Sequence, residues 1–201
     1  MDARDLLIEE HSAVHSAAVG GNKASMAERT FGGLTDDQMR VRPREDLNSL
    51  AWLMWHIARA EDIMANIIVN GRDQVFDDGW LPRLKITRRD FGIGMTKPEV
   101  SELSAKIDLA ALRDYRDAVG RRTQEIVRAY GEKDWEGNLE AASVERAGAL
   151  GCFGDRTEAL VKGFTGRPRR AVLSGIVVMH SAMHMGEGAT VRAAGGFGTG
   201  V

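Results

Sequence analysis

The sequence predicts an all-α fold, a four-helix bundle with extra short helices. Three observations lead there. Strand-like alternation is almost absent, and four segments carry apolar residues at helical spacing. The four prolines, Pro43, Pro82, Pro98 and Pro168, all fall between those segments or at a helix start. Long helices with apolar stripes and no strands to cover them must pack on one another.

Taken in order, residues from Asp2 to about Val19 read as the first helix, ending at Gly20-Gly21. A short helical piece is expected between Lys23 and Phe31, and Thr35-Asp36-Asp37-Gln38 has the form of a capping box. Between about Leu47 and Asn70, Ser49, Leu53, His56, Ala60, Ile63 and Ile67 fall on one stripe, with Arg59, Glu61 and Asp62 largely off it. Asn70-Gly71 is a fitting stop. An irregular stretch, about Arg72 to Met95, follows; loops that long in compact domains tend to be functional or partly structured. Thr96-Lys97-Pro98-Glu99 restarts a helix, with threonine as cap and glutamate at the box position. Residues 109–130 form a long amphipathic helix stopped by Gly131. Residues 139–164 are helix-prone but broken by Gly148, Gly151 and Gly154. Pro168 opens a last helix running to about Ala194. Residues 1–195 are thus expected to form a single domain, with 196–201 a glycine-rich tail that frays.

Composition narrows the function classes. Lys and Arg total 27 against 29 Asp and Glu, a formal net charge of -2, which offers no global electrostatic reason to bind nucleic acid or an anionic membrane. The local arginine groups (Arg40, Arg42, Arg44; Arg88, Arg89; Arg167, Arg169, Arg170) lie at expected element ends. Cys152 is the only cysteine, so disulfide and multi-cysteine metal sites are excluded, and a buried inert thiol is expected. Neither a signal peptide nor an apolar run of membrane-spanning length is present, so a cytoplasmic protein is expected.

The chemistry concentrates in histidines. His180 and His184 lie four residues apart on an otherwise apolar segment, in an inward stripe with Leu173, Ile176, Val177, Glu187 and Val191. His56 occupies the equivalent place on its own helix. Two buried imidazoles without a shared partner would each need separate satisfaction, whereas one divalent ion satisfies all three. Three neutral imidazoles leave a coordination position open, as in catalytic rather than closed structural sites. Zinc, nickel and iron all suit the donors. Glu187, one turn beyond His184, can serve as an orienting group, weak ligand or base. A second pair, His11 and His15, sits on a more polar helix after Glu9-Glu10 and is expected at the solvent or rim. The pentapeptides His11–His15 and His180–His184 resemble each other, but no repeat extends beyond them. Trp52, Trp55, Trp80 and Trp135 are expected in packing.

Leu47-Asn-Ser-Leu-Ala-Trp-Leu-Met-Trp-His-Ile-Ala-Arg-Ala-Glu-Asp62, followed by His180-x-x-x-His184-x-Gly-Glu187, resembles the DinB/YfiT-like superfamily of metalloenzymes. Arg42-Pro43 is similar to the turn that precedes the histidine-bearing helix there. The resemblance implies an up-down-down-up bundle, often homodimeric, with His56, His180 and His184 as metal ligands. It also implies a reaction with a low-molecular-weight thiol such as mycothiol or bacillithiol, since relatives include thiol S-transferases and maleylpyruvate isomerases. Glu187 stands where many relatives carry glutamine, and the 72–95 segment has no clear counterpart.

The leading expectation is therefore a metal-dependent thiol S-transferase acting on a small electrophile, with Glu187 as catalytic proton carrier and Arg42, Arg44, Arg59 and Arg88 as candidate carboxylate holders. A metal-dependent hydrolase and a non-catalytic, stress-associated metal-binding module are the alternatives. An iron-dependent oxidase is a weaker reading, since the related enzymes carry a second catalytic domain. Exposed apolar residues on the first or third helix are the place to look for a homodimer face.

Overall fold

The computed structural model describes residues 2–200, and among them the fold is all-α. No strand forms there; a single antiparallel bridge joins Asn138 and Pro168. Four long segments dominate. Helix α1 is Ala3–Val14. Helix α2 covers 50–69, beginning as Leu50–Asp62 and continuing with wider π-type turns over Ile63–Val69. Helix α3 is Leu109–Ala129, and α4 covers 169–194, with π-type turns over Leu173–His180. They pack in a closed ring: α1 on α3, α3 on α2, α2 on α4, and α4 back on α1.

The predicted caps form where the sequence places them. Thr35 accepts from the Gln38 N–H while Gln38 reaches back to Thr35, and Thr96 and Glu99 close the box that opens Lys97–Lys106. Asn70 and Gly71, the latter at φ 66°, stop α2. Ser49 is the N-cap of α2, accepting from the Trp52 N–H, rather than part of its stripe. The expected helical region 139–164 splits into Ala141–Ala149 and Thr157–Phe164, with Gly151 and Gly154 at positive φ between them.

The first helix is shorter than expected, for a local reason. At His15 the backbone becomes extended, and a separate turn, Ala17–Gly20, follows. The Ser16 N–H turns to His15 Nδ1 (2.8 Å), while the Ser16 hydroxyl donates to Asp117 (2.5 Å). Side-chain acceptors thus take over from the helical carbonyl ladder.

Helix α2 differs most from its predicted pattern. Every residue from Leu50 to Val69 is buried, including Arg59, Glu61 and Asp62, which the stripe assigns to the outside. It is covered by α3, α4, Asp36–Arg40 and Lys97–Lys106, and a helix enclosed on all sides has no solvent face. Its charges are compensated internally. The Asp62 carboxylate accepts from Asn66 (2.7 Å), the Val75 and Phe76 backbone N–H groups (2.8 and 2.9 Å), Tyr115 OH (2.7 Å) and Arg59 (3.3 Å). Arg59 also donates to Tyr115 OH, to Gln74 and to the Arg89 carbonyl, and lies 4.1 Å from the Phe76 ring centre. This network ties the 72–95 segment to the core at both ends. The segment contains the short helix Trp80–Leu84 and is otherwise irregular.

Arginines do terminate helices, as their positions suggest. Arg40 donates to the Ser104, Ala105 and Ile107 carbonyls at the end of Lys97–Lys106, and Arg192 to those of Arg29, Thr30 and Gly32 at the end of Met26–Phe31. Large exposed apolar residues include Leu6 on α1 and, most prominently, Met179 and Met183 on α4, 63% and 67% exposed; α3 presents none.

Removing the Asp62 carboxylate leaves Arg59 charged and unpaired in the core. Asp62→Ala is expected to lower unfolding free energy by roughly 3–5 kcal/mol, read as a lower denaturant midpoint with a similar slope. A loss below about 1 kcal/mol would mean that the network does not hold the segment.

Candidate metal centre

His56 projects from the middle of α2, and His180 and His184 from α4, where its π-type turns give way to regular helix at Ser181. A π-type turn takes one residue more than an α-turn, so it rotates everything beyond it on the helix axis. In the resulting geometry one ring nitrogen from each of the three lies within 4.8 Å of the others. His56 Nε2 and His180 Nε2 face each other at 3.1 Å, and the ring centres of His56–His184 and His180–His184 are 4.7 and 4.6 Å apart. His56 is buried. His180 and His184 are half-buried, so the α4 stripe that predicts a core position for them instead meets solvent at this end.

Hydrogen bonds at Nδ1 orient two of the three rings. His56 Nδ1 donates to the Phe91 carbonyl, and its ring is stacked on Trp52 at 4.7 Å with a 10° interplanar angle. That bond leaves His56 Nε2 without a proton in the neutral ring. His184 Nδ1 donates to Glu187 Oε2 at 2.8 Å, which frees its Nε2 in the same way. The other Glu187 oxygen accepts from Asn48 Nδ2 (3.0 Å), so both carboxylate oxygens are engaged. His180 Nδ1 has no hydrogen-bond partner although it is buried. Imidazole lone pairs held from behind by a carbonyl, as at His56, or by a carboxylate, as at His184, are the arrangement by which proteins hold a divalent ion. The donor set therefore fits a metal-binding protein.

Neighbouring segments place these second partners. Gly92 has φ 88°, and a Cβ there would lie 2.7 Å from Trp55 and 2.9 Å from Trp52, so only glycine lets the chain pass and aim the Phe91 carbonyl at His56. Arg42 donates to the carbonyls of Leu47, Glu45 and Lys97 and to the Ser101 hydroxyl, fixing the turn that carries Asn48.

Electrostatics agree with neutral ligands. Burial pushes His56 down to about 4 and His180 to about 3, the latter helped by His56 and His184 beside it. Glu187 lies below the usual carboxylate range, chiefly because it accepts from His184. Cys152 is buried and its thiol is pushed up by desolvation, as an inert cysteine should be.

Other expected site residues have different roles. Arg59 belongs to the core network and Arg42 to the backbone of a turn, so neither is available to a substrate. Arg44 pairs with Asp46 at the surface (2.7 Å), and Arg88 pairs with Asp90 (3.0 Å) and Glu99 (2.7 Å). A polar cleft of about 830 Å³ adjoins the turn at Phe91, lined by Arg88, Arg89, Asp90, Ile93 and Arg156 among others. Arg156 escapes sequence reasoning, since only the glycine-broken corner at 151–154 brings it there. His11 and His15, expected at the rim, are in the core, each 1% exposed, because they face Glu61 on the enclosed helix α2.

The sequence model of the DinB superfamily matches residues 23–187, which takes in all three histidines and Glu187. The chain belongs to the DinB superfamily. No curated protein matches it closely enough to count as a relative.

Folding holds His56 and His180 neutral where the unfolded chain, with its imidazoles near 6.5, begins to bind protons. Unfolding free energy of the metal-free protein should therefore be flat above about pH 6.5 and fall as the pH drops toward 4. His180→Asn should flatten that fall. An unchanged slope in the variant would show that His180 titrates normally in the folded chain.

Proposed function

We propose that this DinB superfamily chain is a metal-dependent enzyme, with His56, His180 and His184 holding one divalent ion, and that it transfers a low-molecular-weight thiol to a small electrophile. The observation that carries this reading is the pair of Nδ1 bonds, His56 to Phe91 and His184 to Glu187, which leave both Nε2 atoms without a proton where one nitrogen of each of the three rings lies within 4.8 Å of the others. Zinc, nickel or iron fits such a centre. An ion bound there would stabilise the thiolate form of a coordinating thiol near neutral pH.

The residues divide the remaining work. In the transfer, the thiol sulfur bonds to an electrophilic carbon of the substrate, the thiol proton departs to a base, and the displaced group leaves with its electron pair. In this reading Glu187, which accepts from His184, orients that ring and takes up the proton. Asn48 holds the opposite oxygen and keeps the carboxylate from rotating away. Trp52 and Phe91 cover the faces of His56 and exclude water from its side of the centre. Arg156, in the neighbouring cleft and without an ion pair among the described residues, is a candidate for holding a carboxylate of substrate or thiol. Mycothiol and bacillithiol are the thiols to test first.

We further read residues 1–195 as one domain with an up-down-down-up bundle, acting in the cytoplasm as a homodimer. The exposed Met179 and Met183 face on α4 is the surface to examine for the dimer. Among the described residues no helix is long and apolar enough to cross a membrane.

Elemental analysis of the protein and of His184→Ala tests the centre. Metal content should fall by one ion per chain in the variant while far-ultraviolet circular dichroism stays unchanged; a variant with the same metal content as the protein would refute the ligand set. Glu187→Ala should weaken metal affinity by roughly 10–100-fold. With metal bound, conjugation of an electrophile such as a chlorodinitrobenzene should require added thiol. Turnover of ester substrates without thiol would point to hydrolysis instead.

A further inference from the structure

A second group of ligating side chains lies outside the three-histidine cluster. His11 and His15, one turn apart at the end of α1, face Glu61 of α2, and one ligand atom from each lies within 4.8 Å of the others. His11 Nε2 is 3.0 Å from Glu61 Oε1, and His15 Nε2 is 3.9 Å from Oε2. All three are sealed from solvent. His15 Nε2 has no hydrogen-bond partner. A fully buried imidazole nitrogen left unsatisfied beside a buried carboxylate is costly, and the cost disappears if a ligand sits between them.

A divalent cation is a ligand that two imidazoles and a carboxylate can share. Gly120 of α3 lies opposite the unsatisfied nitrogen, and a Cβ there would come within 2.4 Å of it. Glycine is unfavourable inside a helix relative to alanine, and here it makes room for the His15 ring, whose Nε2, Cε1 and Cδ2 atoms are the nearest to that position. Each ring has a polar partner at Nδ1. The Gln124 side-chain amide donates to His11 Nδ1 (3.4 Å), and His15 Nδ1 is 3.2 Å from the Ser16 hydroxyl, which itself donates to Asp117. Two features act against loading. The Ser16 N–H and the Gln124 amide donate to the two Nδ1 atoms, so ligation through Nε2 requires each ring proton to move to Nδ1 and these donors to turn away. Arg116 brings a positive charge nearby, although it makes no ion pair with Glu61 among the described residues and donates instead to the Val14 carbonyl (3.2 Å).

We infer that His11, His15 and Glu61 form a second, enclosed site for a divalent cation of the zinc type, joining α1 to α2 independently of the centre at His56. Two imidazoles and one carboxylate are a sufficient protein ligand set for such an ion. Burial at the α1–α2 contact makes it a stabilising site rather than one open to substrate.

The test uses the full chain with His56, His180 and His184 all changed to alanine, which separates this site from the first. After zinc reconstitution, the variant should retain one ion per chain and melt at a higher temperature with zinc than without. Adding Glu61→Gln or, with all ligands kept, Gly120→Ala should abolish both effects. A folded triple variant that takes up no zinc overturns the second site, and the cluster is then a hydrogen-bonded polar core. An ion that survives both added substitutions lies elsewhere and overturns it equally. Wild-type protein binding one ion while the triple variant binds none would leave the first centre standing alone; no ion in either would remove both.

Discussion

The buried carboxylate of Asp62 is the point on which this architecture turns. It sits on a helix with no solvent face and receives hydrogen bonds from its own helix, from α3 through Tyr115, and from the backbone of the 72–95 segment. Arg59 completes the arrangement by binding the Arg89 carbonyl, two residues before Phe91. An irregular segment of that length would otherwise have few contacts to hold it. Here each end is bound to the same pair of buried charges, and its last part is delivered against His56. A buried ion pair seldom adds much stability over a hydrophobic substitute, but it does impose one geometry.

From that anchoring the site inherits its order. The Phe91 carbonyl orients His56 only because Gly92 passes between Trp52 and Trp55, and because Arg89 is held from below. On the opposite side Arg42 fixes a turn, the turn presents Asn48, Asn48 holds Glu187, and Glu187 orients His184. The two chains of contacts approach the cluster from different parts of the sequence. Both end at an Nδ1 atom, which leaves the Nε2 atoms to converge. Pre-organisation of this kind is supplied by the scaffold, at a distance from the histidine cluster itself.

The π-type turns in α2 and α4 belong to the same picture. The two stretches pack against each other, and each adjoins a charged or ligating cluster. Regular α-helix through Leu173–His180 would carry His180 to another bearing around the axis. Hydrophobic periodicity alone does not reveal such an insertion, since it moves side chains by a fraction of a turn without altering which residues are apolar.

Helix identity, caps and breaks were legible in the sequence because they depend on neighbours a few residues apart. Thr35 with Gln38, Thr96 with Glu99, Asn70 with Gly71 and the glycines at 151 and 154 are such local signals, whereas Gly148 stays inside a helix. So was the grouping of His56 with His180 and His184, since an i, i+4 pair on an apolar segment needs a partner. Only the tertiary structure decided which polar residues go inside. Arg59, Glu61 and Asp62 look external on a helical wheel, yet α2 is covered on every side and its charges find partners 13 to 56 positions away. His11 and His15 look like rim residues for the same reason, and are buried because Glu61 is. Burial of a charge depends on whether a distant segment supplies its partner, and that information exists only once the chain has folded.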